Sequence, residues 1–183
     1  MGWHMDTFFT QAVGFLAVAL FILSYQAGSN RTLYLCQTVG SALFCLQFFL
    51  LGAASGCFSL ALNMLRGALL MKYNDWPWVR RKELAMLFCG VFAVIMALTW
   101  AGPVSLLAFI ASAVSTVGYW QNNARTIRLS NLLCASPCWL VHDILVGSWG
   151  GALTEAITIA SILVSGVRFG WRTLGDPDSE FQK

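Results

Sequence analysis

Residues 84–100 read LAMLFCGVFAVIMALTW, seventeen positions without a charge. Arg80, Arg81, Lys82 and Glu83 precede this run and Gly102-Pro103 follows it. A bilayer crossing needs about 20 mainly apolar residues, and cations on one flank only give the crossing a direction. Outward from this run the pattern recurs: apolar stretches cover 8–25, 33–51, 57–71, 104–120, 129–146 and 149–169. Between them lie good breakers, among them Gly28-Ser29-Asn30, the charged 72–83 segment, Gln121-Asn122-Asn123 and Gly147-Ser148. The pattern predicts an all-α membrane protein of seven transmembrane helices.

Composition supports that class. Of 183 residues 58% are hydrophobic and 10% charged, against about 25% charged in an ordinary soluble domain, so a water-exposed fold of this size could not hide its apolar surface. The length leaves room for one integral membrane domain over 1–183 and no separate soluble one. The partner expected first is the lipid bilayer. The net charge of +3 comes without a basic-aromatic surface, so no nucleic-acid partner is expected.

The eleven Lys and Arg residues test the helix count. Arg31, Arg66 and Lys72, Arg80 to Lys82, Arg125 and Arg128, then Arg168, Arg172 and Lys183 all fall on one side of a seven-helix path. The positive-inside rule then predicts an N-terminus in the periplasm and a C-terminus in the cytoplasm. Trp3, Trp100 and Trp149 fall at outer ends and Trp76, Trp78, Trp120 and Trp171 at inner ends, as interfacial rings prefer, while Trp139 lies within a span. Met1 to Asp6 lack the basic start of a cleavable signal, so the first stretch is expected to stay in the mature protein. The six cysteines sit in apolar stretches and read as free, buried thiols. Cys134 and Cys138 share a helix face, but two thiols alone make a poor metal site, so neither a metal nor any other cofactor is expected. The acidic, proline-containing segment from Gly175 reads as a solvated, mobile end of a cytoplasmic tail covering 172–183.

An internal repeat organises the chain. An offset of 94 aligns Phe15 with Phe109, Tyr25 with Tyr119, Arg31-Thr32 with Arg125-Thr126, and Leu46 with Leu140. After one insertion an offset of 95 aligns Gly52 with Gly147, Gly56 with Gly151 and Ala61 with Ala156. Residues 8–73 and 104–171 thus form two triple-helix repeats, and 84–101 a linker helix. One connecting span gives both units the same orientation, a parallel repeat about an axis along the membrane normal.

Both third helices carry a polar stripe. Ser59, Asn63 and Arg66 share a face, and their equivalents are Thr154, Thr158 and Ser161. Asn63 and Thr158 fall near mid-bilayer, where polar groups usually face a bundle interior or a cavity. For single Ser and Thr positions a helix-contact role is preferred; for Asn63 contact and site both stand. Arg66 is close enough to the inner end to snorkel, yet its place beside Asn63 keeps it a candidate. Gln37 aligns with Asn131, each predicted to project inward. His142 and Glu155 lie at similar depth, read either as ordinary interface groups or as a proton relay. The Gly52-x3-Gly56 and Gly147-x3-Gly151 pairs are read as tight turns. No Ser-His-Asp spacing, zinc motif or phosphate-binding glycine loop is present, and an enzyme is not expected.

The runs 48–52, 62–66, 138–142 and 147–151 with Glu155 resemble the YgjV-like family of bacterial inner-membrane proteins across nearly the whole chain. That resemblance implies a bacterial inner (plasma) membrane. More distantly, the three-plus-one-plus-three order looks like SWEET sugar facilitators and the PQ-loop group. There Asn63 resembles the sugar-contacting asparagine, while Thr158 departs from the asparagine of the second repeat and no proline marks helix 1. The expectation is a facilitator for a small polar, sugar-like solute, working by alternating access, with Asn63, Thr158, Gln37, Asn131 and Trp139 lining the site and Arg66, His142 and Glu155 forming a coupling or polar network. The alternative is a partner-binding or assembly factor whose stripes only hold helices together.

Overall fold

A computed structural model describes residues 2–50, 54–100, 102–145 and 149–182. Gly52 and Gly147 lie outside these residues, and so do the side chains of Trp3, Cys57, Ser59, Asp143 and Trp149. Where described, each apolar run is carried mainly by helix, and no strand occurs among the described residues. The long helices are α1 (Gly2–Tyr25), α2 (Asn30–Leu50), α3 (Ala54–Leu70), α4 (Lys82–Leu98), α5 (Val104–Trp120) and α8 (Trp149–Phe169). The remaining run is built as α6 (Ala124–Ser130), a π-helical turn (Asn131–Ala135) and α7 (Ser136–Leu145). A short α9 (Trp171–Gly175) and a 3-10 turn at Glu180–Gln182 follow.

The π turn has a local cause. Pro137 has no N–H to give to the preceding turn and its ring crowds that turn's carbonyl; one extra residue in the loop of the helix absorbs both. The breakers act as their chemistry suggests. Asn122, at φ 47°, and Gly170, at φ 78°, take the left-handed turns that end α5 and α8. Ser29 Oγ accepts from the Thr32 N–H at 3.2 Å, and 94 residues later Asn123 Oδ1 accepts from the Thr126 N–H at 3.1 Å. The same cap therefore starts the helix at both copies of the Arg-Thr pair.

Helices α1, α2 and α3 pack in succession, as do α5, the α6–α7 run and α8, while α1 touches α8. Helix α4 lies mainly along α5. Its Phe88 packs on Trp120 with ring centroids 5.3 Å apart, and the Trp120 indole donates to the Val79 carbonyl at 2.8 Å. The surface is apolar and the interior carries the polar groups: on α8, Val167 is 86% exposed and Ser165, two residues before it, 0%. Water would penalise that arrangement, whereas a bilayer favours it. Among the described residues, Gly151–Phe169 is long and apolar enough to cross a membrane, at mean hydropathy 1.5, and Ala12–Tyr25, Leu60–Leu70 and Val104–Trp120 are shorter apolar helices.

Three expectations change. The segment after Gly175 is not a free end: Gln182 Oε1 accepts from Asn30 Nδ2 at 3.2 Å and from the Ala124 N–H at 3.0 Å, while its backbone carbonyl accepts from Asn74 and Asn122, each at 3.1 Å. Phe181 packs edge-on against Phe169 at 5.0 Å. A few specific contacts override an acidic composition. Second, Cys36, Cys45, Cys89, Cys134 and Cys138 are half-buried and not fully buried, and none of them is in a disulfide among the described residues. Third, Arg66 does not snorkel; it turns inward and is 8% exposed.

Candidate functional site

The polar interior is built around three tyrosines and two arginines. Tyr25 ends α1 and Tyr119 nearly ends α5, and their hydroxyls meet at 3.3 Å. Tyr34, on the first turns of α2, donates to the Tyr119 carbonyl and to Asn122 Oδ1, each at 3.0 Å. Its ring stands edge-on to that of Tyr119, at 6.0 Å between centroids. All three tyrosines are buried.

Arg66 reaches across from α3 to α5. Its Nη1 donates to Thr116 Oγ1 at 2.7 Å and to Ser115 Oγ at 3.3 Å. Both hydroxyls spend their own protons on the Ser112 carbonyl, at 2.7 and 3.0 Å, which leaves their lone pairs for the guanidinium. The guanidinium carbon lies 4.8 Å from the centre of the Tyr119 ring, a cation–π contact. Arg128, 1% exposed, is held otherwise. Its Nε donates to Ser165 Oγ at 2.7 Å, Nη1 to the Ala124 carbonyl at 3.2 Å, and Nη2 to the carbonyls of Tyr25 and Ala27 at 2.8 and 3.3 Å. Those last acceptors are carbonyls left open at the end of α1, where the helix dipole is negative.

Two further bonds cross between the halves of the chain. Gln26 Nε2 donates to the Ser161 carbonyl at 2.7 Å, and Ser161 Oγ donates to the Ile22 carbonyl at 2.9 Å. Gly118 lets α6 approach α5, since a Cβ there would collide with Ser130 Oγ.

The sequence candidates are dispersed around this cluster. Gln37 is buried and donates to Ser24 Oγ at 3.2 Å; Asn131 is buried at the start of the π turn and donates to the Ile127 carbonyl at 2.7 Å. Both face inward, but each is engaged by its neighbours. Thr158 is buried and Asn63 half-buried, with no hydrogen bond to the Asn63 side chain among the described residues. Trp139 is half-buried on α7 and meets His142 edge-on at 5.2 Å. Glu155 is half-buried on α8. Sequence reasoning did not single out Arg128, Tyr34, Ser115 or Thr116; Arg128 sits beside an apolar run and was counted only as a loop charge. Cys134 and Cys138 bring their sulfurs to 4.0 Å, an incomplete metal ligand set.

A polar cavity adjoins the cluster, and an apolar groove lies farther along α3. The cavity, of about 260 Å³, opens at the end that carries the cations and is lined by Arg31, Tyr34, Leu70, Asn74, Asp75 and Asn122. The groove, of about 480 Å³, lies between α3 and α4 with Leu62, Leu65, Val91 and Leu98 in its walls.

A family model described as a bacterial inner membrane protein, Imp-YgjV, matches residues 8–173. Inner membrane protein YgjV of Escherichia coli (strain K12) is 27% identical over 162 residues, which is 88% of this chain and 84% of that protein. Both descriptions give a location and no reaction. No solved structure matches the chain.

Proposed function

The chain belongs to the Imp-YgjV family of bacterial inner membrane proteins, and from that premise we propose that this integral inner-membrane protein carries a small polar solute across the bilayer. Its seven spans form two parallel three-helix units joined by α4, an order like that of SWEET facilitators, with the N-terminus periplasmic and the C-terminus cytoplasmic. The pathway runs between the units, whose rocking gives alternating access.

One observation carries this reading: residues equivalent in the two repeats meet each other. Tyr25 bonds Tyr119 at an offset of 94, and Gln182 Oε1 accepts from position 30 and from position 124, again 94 apart. Equivalent positions of a two-fold pair touch only near the axis that relates them. The crossings between units follow the same rule. Arg66 on α3 reaches Thr116 on α5; the equivalent Ser161 on α8 reaches Ile22 on α1. A polar, hydrogen-bonded seam at a pseudo-axis, beside a cavity open at one end, is what a carrier closed at part of its path requires.

The test is uptake into reconstituted vesicles from a pool of labelled polar solutes. Uptake is expected with the wild-type chain and its loss with Asn63→Ala at unchanged expression. Vesicles that take up nothing, from a protein that copurifies with a stoichiometric partner, would overturn this reading in favour of an assembly factor.

A further inference from the structure

Arg66 is more than nine-tenths buried, and among the described residues no acid is bonded to its guanidinium. An ion pair of Lys72 with Asp75, at 3.4 Å, lies at the exposed end of the bundle and does not reach Arg66. Removing a guanidinium from water without a counter-charge costs several kcal/mol after relaxation, and that cost is tolerated where function needs the charge. The way Arg66 is held sharpens the point. Its Nη1 is fixed by two hydroxyls of α5 and its plane lies over Tyr119, while its Nε and Nη2 find no acceptor among the described residues. Nε–H and Nη2–H form the parallel fork that matches the two oxygens of a carboxylate or phosphate.

A cavity that Arg66 does not itself line begins one helical turn from it. The 260 Å³ cavity reaches Leu70, one helical turn from Arg66, and Tyr34, whose hydroxyl bonds the carbonyl of the tyrosine that carries Arg66. Arg31 stands at its rim and attracts anions toward the opening, and Asp75, also in its wall, is neutralised by Lys72. The second repeat has Ser161 at the position of Arg66, so this guanidinium has no counterpart at the equivalent place in the second unit.

We infer that Arg66 anchors an oxyanion site, its Nε–Nη2 edge taking the carboxylate or phosphate group of a small anion from the cation-bearing end of the bundle. This deepens the transport reading and rests on it only for the claim that the anion is the solute carried; the binding site stands separately.

Wild-type protein in phosphatidylcholine nanodiscs is titrated with inorganic phosphate and with succinate at constant ionic strength, following tryptophan fluorescence and the unfolding temperature. A second arm replaces part of the phosphatidylcholine with phosphatidylglycerol and omits added anion. A saturable rise in unfolding temperature of about 3–6 °C is expected at ten times the Kd. Arg66→Gln is expected to lose it, and Arg66→Lys, which keeps a point charge without the fork, to bind at least about tenfold more weakly. A response to phosphate or succinate identifies a soluble anion; an Arg66-dependent response to phosphatidylglycerol alone identifies a lipid headgroup at the same site. An unresponsive wild type in both arms overturns the site, as does an Arg66→Gln response equal to wild type. If Arg66→Gln does not fold, an Arg66→Lys affinity equal to wild type overturns it. Anion binding without uptake in the vesicle assay retains the site and removes transport, whereas uptake indifferent to these anions does the reverse.

Discussion

Arg66 and Arg128 sit in the same polar interior at 8% and 1% exposure, and they are bound in opposite ways. Arg128 gives all three nitrogens to neutral acceptors, two of them carbonyls left open where α1 ends. It serves as a capping group for a helix of the other half of the chain, and its charge meets the negative end of a helix dipole. Arg66 gives one nitrogen to two hydroxyls and keeps its bidentate edge unspent. Burial alone therefore does not mark a functional charge. The number of its donors already used separates a fastening residue from a binding one.

The largest expected effect comes from exchanging each arginine for methionine, which keeps the stem and removes the charge. Arg128→Met leaves the carbonyls of Tyr25 and Ala27 without donors, and a loss of about 3 kcal/mol is expected in equilibrium unfolding from mixed micelles. Arg66→Met removes a charge that the fold does not compensate, so stability should stay within about 1 kcal/mol of wild type or rise. Equal losses for the two variants would erase the distinction, and Arg66 would then be a second fastening.

How much of this was legible beforehand follows from what each residue type announces. The helices and their apolar runs were readable because a 17-residue uncharged stretch has few other fates. The burial of Gln37, Asn131 and Thr158 was readable from the shared faces of the two aligned segments, whereas Arg66 was expected to reach the inner surface and instead turns inward. Their partners were not, because a stripe gives the face of a helix and not the register of its neighbour. Arg128 was hidden by position: at the edge of an apolar run it counts equally well as a loop cation, and only the path of α1 brings carbonyls over it. The segment ending in Gln182 was misread because composition averages over Asp176, Asp178 and Glu180, whereas one amide decides where it lies. The π turn left Pro137 as its trace, and a mid-span proline allows a kink or a bulge equally.

The cation-bearing end offers a finer comparison, between bonds that hold the seam and helices that would hold it unaided. There Gln182 joins Asn30 and Ala124, 94 positions apart, through one oxygen. Gln182→Met keeps the volume and removes the bonds, and the Ala124 amide is expected to exchange its hydrogen about tenfold faster, a change worth about 1.4 kcal/mol. The measurement is hydrogen exchange on the peptide that contains Ala124. Unchanged exchange would show that α6 protects this amide by its own packing and that the segment merely rests on the surface.

The smallest effect tests the symmetry of the seam. The Tyr25–Tyr119 hydroxyl pair, at 3.3 Å, is long for an O–H···O bond. Interhelical hydrogen bonds in membranes average about 0.6 kcal/mol, so a coupling near about 0.5 kcal/mol is expected from the cycle of Tyr25→Phe, Tyr119→Phe and the double variant. Neither substitution disturbs the other duties of Tyr119, because Tyr34 uses its carbonyl and Arg66 its ring face. Tyr25→Phe should cost somewhat more than Tyr119→Phe, because the Tyr25 hydroxyl also meets the Gln37 side chain. A Tyr119→Phe loss exceeding that of Tyr25→Phe by more than about 1 kcal/mol would mean that the Tyr119 hydroxyl, and not only its ring, supports Arg66. The tyrosine pair would then belong to the anion site and not to the seam.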